Sequence, residues 1–206
     1  MKKKNVFPYG GRLFLLCFVL LFGVFFYACN SAYTPRPRGY FSIAFPPHQY
    51  QLFDKPSFPY AFEYPVYAEV IRDSSFFGDR PENPYWINID FPRFHARIYI
   101  SYKDIIAGDF DKLREDAYKM TYQHTYKASS IEDSIMKTPL GVAGVFFNVG
   151  GNAATAKQFF VSDTTRHFLR GALYFDTTPN EDSLGIVNQF LQEDMKHIIN
   201  TLRWKN

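Results

Sequence analysis

Five histidines, His48, His95, His124, His167 and His197, are the side chains best suited here to proton transfer or metal ligation. Their spacing speaks against both. No two stand four residues apart, the separation that puts two rings on one helix face, so a metal would have to be held by distant segments. Each is expected to be structural or solvent-facing. Serine chemistry is equally thin, because no G-x-S-x-G elbow occurs and a triad would have to be scattered over the chain. The stretch "VGGNAATAK", residues 149–157, has the look of a phosphate loop, yet it lacks the second glycine before Lys157 and the hydroxyl after it. A hairpin turn at Gly150, Gly151 and Asn152 is the expectation. Glu115 with Asp116, and Glu181 with Asp182, fall where helices start or turn outward and read as solvated faces. The pattern predicts a non-enzyme with no catalytic residue, no bound metal and no cofactor.

One cysteine has other chemistry in prospect. Leu13 to Ala28, "LFLLCFVLLFGVFFYA", carries no charge and follows Lys2, Lys3, Lys4 and Arg12, the order of an export signal. As a helix rising ~1.5 Å per residue it would span ~24 Å, short of the ~30 Å hydrocarbon layer. Small Ala28 before Cys29 resembles a bacterial lipoprotein cleavage site, where the thiol receives a diacylglycerol and becomes the new N-terminus. Phe26 and Tyr27 depart from the usual leucine and small residue. Residues 1–28 are read as a lipoprotein signal peptide and Cys29 as the lipidation site, with an uncleaved anchor and a plain secreted chain as alternatives. Cys17 would leave with the signal, so the mature chain has no thiol pair and no disulfide. Stability must then come from a core.

Processing also corrects the charge. The whole chain has 23 Lys and Arg against 20 Asp and Glu, but four of the basic residues and no acidic one lie in residues 1–28. The mature chain is close to neutral, and no basic cluster remains to bind nucleic acid. Its first part, residues 29–65, is rich in proline and aromatics and reads as an extended tether with at most short edge strands. Within it, Arg36 and Arg38 alternate with Pro35 and Pro37 and are flanked by Tyr33 and Tyr40, so Arg36, Arg38 and Tyr40 form a stiff strip suited to docking on a partner. The same strip could lie on the domain's own surface.

Residues 66–206 read as a single globular domain. "YWINIDF" and "FHARIYISY" alternate with period two around Pro92 and Arg93, which predicts a hairpin with Tyr85, Ile87, Ile89 and Phe91 on one face of the first strand and Phe94, Ala96, Ile98, Ile100 and Tyr102 facing in from the second. Phe110, Leu113, Ala117 and Met120 recur at helical spacing, with Asp109 placed to cap. "VAGVFFNV", "AATAKQFFVSD" and "RHFLRGALYFDT" predict three consecutive antiparallel strands. A closing helix carries Val187, Phe190, Leu191, Met195, Ile198, Ile199 and Leu202 on one stripe. Clustered strands with helices packed on them are an α+β fold with an antiparallel sheet, and the order resembles the PsbP and Mog1 type of α-β-α sandwich.

"YTPRPRGYF" after the cysteine, then "FFGDRPENPYWINIDFP", "YFDTTPNEDSL" and "FLQEDMKHIINTLRW", resemble the gliding motility lipoprotein GldD family of the Bacteroidota. The resemblance spans nearly the whole mature chain. It implies a lipoprotein required for gliding and associated with the type IX secretion apparatus, whose partners are the membrane, through the lipid, and other proteins of that machinery. Of the family's residues it carries over Cys29 alone. "NSAYT" after Cys29 lacks the acidic residues of a surface-export tag, so the expected location is the cell envelope, anchored and facing the periplasm. The competing class is a periplasmic glycan- or peptide-binding module in which the aromatics of the sheet line a concave pocket.

Overall fold

The computed structural model describes residues 42–72 and 81–205 and, before them, Phe14 and Phe18 alone; Cys29, Arg36, Arg38 and Tyr40 lie outside the described residues. The chain divides into two compact units, residues 1–41 and 42–206. The elements named here belong to the second unit. They are strands β1 (Tyr50–Phe53), β2 (Tyr60–Pro65), β3 (Glu69–Arg72), β4 (Ile87–Phe91) and β5 (Ala96–Asp104), helix α1 (Phe110–Tyr122), strands β6 (Ala128–Lys137), β7 (Ala143–Gly151), β8 (Lys157–Ser162) and β9 (His167–Phe175), helix α2 (Glu181–Thr201) and the short β10 (Arg203–Trp204). All strand pairings are antiparallel. Seven strands form one sheet in the order β3-β4-β5-β9-β8-β7-β6, and three form a small one in the order β1-β2-β10.

The helices lie on opposite faces of the large sheet, because alternate residues of a strand point to opposite sides. In β8, Phe159 and Val161 join the larger core with Leu191, Met195, Ile198 and Ile199 of α2. Phe160, between them, joins a smaller core with Ala117 of α1, Val145, Phe147 and Phe168. Of the inward residues expected for the β4 and β5 hairpin, those within the strands are buried, while Tyr85 and Phe94, just outside them, are half-buried. Each such aliphatic side chain contributes ~1.5–3 kcal/mol on burial, so the large core on the α2 face dominates stability. The Pro92 break is a short 3-10 turn ending at His95, which holds a left-handed φ of 47°.

Three expectations change. Asp109 precedes α1 but makes no side-chain capping bond. On α1 the buried position past Ala117 is Thr121, while Met120 is 40% exposed. Spacings of three and four both keep a residue on a helix face, and here the sheet offers Gln158 Oε1 to the Thr121 hydroxyl at 3.3 Å. Residues 42–65, expected as an extended tether, instead turn back after Lys55 so that β1 and β2 pair as a hairpin, and β2 is the middle strand of its sheet with Tyr60, Ala61 and Phe62 fully buried. Proline removes a donor at single positions and leaves Tyr60 and Ala61 to pair with β10 and Phe62 to Tyr64 with β1.

His167 shows how the core meets pH. Its Nδ1 lies 2.7 Å from the Tyr102 hydroxyl, and its ring stacks on Trp204 at 5.0 Å. Burial holds the imidazole pKa below its usual 6.5, with Asp163 opposing and Arg166 reinforcing the shift. Burial likewise lowers that of His124, aided by Arg170. The unfolded chain therefore takes up protons near pH 6.5 before the folded one does, so stability is full above that value and falls as pH drops below it. Urea midpoints measured from pH 7.5 to 5 are expected to decline, by at most ~1.4 kcal/mol per pH unit for each such histidine. A His167→Asn variant should show a shallower decline.

Candidate functional site

Two places on α2 combine polar groups with burial. The first is a clasp where the incoming chain meets the helix. Asp194 is fully buried, and its carboxylate accepts hydrogen bonds from His48 Nδ1 at 2.8 Å, from the Tyr50 hydroxyl at 3.1 Å and from the Tyr67 hydroxyl. The other ring nitrogen of His48 faces Glu193 at 3.1 Å. Tyr50 lies flat on the His197 ring, with centroids 3.5 Å apart, and His197 reaches Glu63 at 2.8 Å. Phe190 stacks between Phe45 and His48, at 4.4 Å from each, and Arg93 donates to the Ala44 carbonyl.

Burial pushes the Asp194 carboxyl above the usual carboxylate range, and the bonds from Tyr67, His48 and Tyr50 pull it part of the way back. The arrangement is a fastening. Every acceptor lone pair aimed at a donor holds a piece of chain to the helix, and burial, reinforced by the same carboxylate, raises the Tyr50 and Tyr67 phenols far above their ordinary values. Among the described residues no group of three or more His, Cys, Asp and Glu is placed to hold a metal ion.

The second place is a cleft of about 420 Å³ between the β7–β8 turn and the N-terminal half of α2, with Asn148, Lys157, Phe175, Gly185 and Asn188 among its walls. The phosphate-loop look-alike is this turn. Asn152 Oδ1 accepts from the Glu181 amide at 2.9 Å and Asn180 caps the helix by accepting from Ser183. The helix amides that an anion would need are thus occupied, and Glu181 and Asp182 add negative charge beside them. Lys157 bonds to Asn148 Oδ1, and burial, with Lys196 nearby, lowers its pKa.

Other sequence candidates disperse. His95 and His124 stand apart from the clasp, whereas His48 and His197, separated by most of the chain, come together on α2 through Tyr50. Ser134 and Lys137, an S-x-x-K spacing absent from the candidates above, lie exposed on edge strand β6, where a three-residue step points two side chains to opposite faces. The sheet aromatics expected to line a concave pocket fill the core instead: Phe62, Phe91, Tyr102 and Phe159 are fully buried.

A family model for the gliding motility lipoprotein GldD matches residues 30–204. The chain belongs to this family. Membership makes it a membrane-anchored lipoprotein of the cell envelope with a part in gliding motility. No curated protein matches it. Its structure is similar to the solution structure of cyanobacterial PsbP (CyanoP) from Synechocystis sp. PCC 6803, with a TM-score of 0.44 and 10% identity over 82% of this chain and 98% of that one.

Proposed function

We propose that this GldD-family lipoprotein is a non-catalytic accessory component of the gliding machinery and its type IX secretion apparatus, held to a membrane by lipid on Cys29, facing the periplasm and positioning neighbouring proteins. The observation that carries the reading is the clasp. A chain entering the folded body through Phe45, His48 and Tyr50 is fixed to α2 by the buried Asp194, which suits a body that must be presented from a defined point. Twelve residues separate Cys29 from Ser42, so the stretch between lipid and body reaches ~45 Å at most. Two or three acyl chains, at ~0.8 kcal/mol per buried methylene, hold such a body stably. Arg36, Arg38 and Tyr40 lie within that reach as the proposed docking strip.

A Cys29→Ser form is expected to leave the membrane fraction, to take up no radiolabelled fatty acid and to fail to restore gliding. Retention of both membrane association and gliding by that form would refute the anchored role. Crosslinking in native membranes should lose its main adduct in the Arg36→Ala, Arg38→Ala double variant while the lipid remains. Protease applied to intact cells should leave the protein uncut.

A further inference from the structure

We propose that the cleft between the β7–β8 turn and α2 is a binding site for a neutral, hydroxyl-rich ligand, a short oligosaccharide. The inference stands apart from the anchoring role and involves none of the residues assigned to it.

Two features of α2 have no explanation within the protein. Gly185 sits inside the helix, where glycine is costly relative to alanine, yet a Cβ there would meet nothing within 4 Å. Neither packing nor a left-handed backbone requires the glycine. Its missing side chain opens the cleft wall to close approach by something else. Nearly one turn further on, Asn188 is only 9% exposed and its Oδ1 has no hydrogen-bond partner. A buried acceptor left unpaired is destabilising, and Asn188 stands on the same wall. Turning the amide toward the cleft would bring it to a ligand hydroxyl entering beside Gly185.

The lining selects the class of ligand. Asn148, Asn188, Gln189 and Gln192 bring amides, each with donors and an acceptor, and Lys157 brings a desolvated ammonium bonded to an amide oxygen rather than to a carboxylate. Hydroxyl groups, which also donate and accept, match such a wall. Phe175 supplies an aromatic surface for the apolar face of a sugar ring. An anion is disfavoured by Glu181 and Asp182 and by the occupied helix amides. A peptide bound by strand addition would need a free edge, but β7 is paired on one side with β6 and on the other with β8. The cleft volume lies within the range of small-ligand sites.

The test uses the full chain in a polyoxyethylene detergent, which carries no sugar headgroup. A panel of neutral tri- to pentasaccharides, with tri-alanine and inorganic sulfate as the other arms, is titrated by calorimetry. At least one neutral oligosaccharide is expected to bind, and Asn188→Ala is expected to weaken it about tenfold or more. Gly185→Ala should raise Tm, since it fills empty space on a helix, while weakening binding by a similar factor. The proposal is overturned if no saccharide of the panel binds, or if only tri-alanine or sulfate binds. It is also overturned if both variants bind like the parent, or if Gly185→Ala lowers Tm, which would reveal a packing role for the glycine. A Cys29→Ser form should bind equally well, so failure of the anchoring role and failure of this one are distinguishable.

Discussion

Alanine in place of Gly144 is expected to destabilise the fold by ~3 kcal/mol or more, the upper end of the range for overpacking. Gly144 lies opposite Val161 in the β7–β8 ladder. A Cβ at this position would fall 1.9 Å from the Phe160 carbonyl oxygen and 2.8 Å from the Val161 Cα. Both are backbone atoms of a central strand, so no side-chain rotation relieves the clash and β8 itself must move. That strand carries Phe159 and Val161 into the large core and Phe160 into the small one, so the disturbance reaches both faces of the sheet. Since a domain of this size has ~5–15 kcal/mol in all, urea unfolding should show a large drop in midpoint. Gly185→Ala is the internal contrast: the same change in open helical space should raise stability by up to ~1 kcal/mol. Equal, small effects at the two glycines would contradict the close approach at Gly144.

The second large effect is expected at Asp194. Asp194→Ala removes the common acceptor of His48, Tyr50 and Tyr67 and should cost ~2–3 kcal/mol, the value of losing charged hydrogen bonds whose remaining donors are partly reached by water. The loss should be local first: chymotrypsin is expected to cut after Tyr50, Leu52 or Phe53 of the variant under conditions that leave the parent intact. Asp194→Asn keeps the shape and one acceptor and should cost less. It also isolates the titration. Because burial raises the carboxyl's pKa in the folded state, the folded parent holds that proton to higher pH than the unfolded chain does. The contribution is therefore full below the ordinary carboxyl range near 3.8 and is lost as pH rises through the raised folded value. Asparagine has no such loss, so the stability gap between parent and Asp194→Asn should narrow on going from pH 4 toward neutrality. A gap that widens with pH would mean that the ionised carboxylate is the favoured folded form.

What could be read in advance depended on whether a residue's partner lies nearby in sequence. The β4 and β5 hairpin was legible because Ile87 to Phe91 and Ala96 to Tyr102 alternate cleanly and are joined by a short turn at Pro92, so periodicity defined both strands and the buried face of β5, while in β4 Asn88 on the opposite face is buried as well. Strand β6 gave no such signal. It lies at the sheet edge with most residues exposed, Ile135 to 88%, and an edge strand with solvent on both faces has no apolar alternation to display. The clasp was illegible for another reason: His48 and Asp194 are 146 residues apart, and proton-bearing side chains that meet only in three dimensions leave no spacing to find. One clue was present. Asp194 and Asn188 fall on the apolar stripe of α2 beside Met195 and Val187, and a polar residue on a buried helix face must have a partner or be waiting for one.

The fastening at His48 also decides how this body bears load. A pull on the lipid end, as a moving cell surface would exert, arrives at the Ala44 carbonyl and the His48 ring before it reaches the backbone ladder between β1 and β2. Tension is thus shared by side-chain bonds to α2 ahead of any strand, and the helix, seated on the large core, works as the mooring post. In single-molecule stretching from Cys29 to the C-terminus, His48→Ala should lower the force of the first rupture and leave the later ones in place.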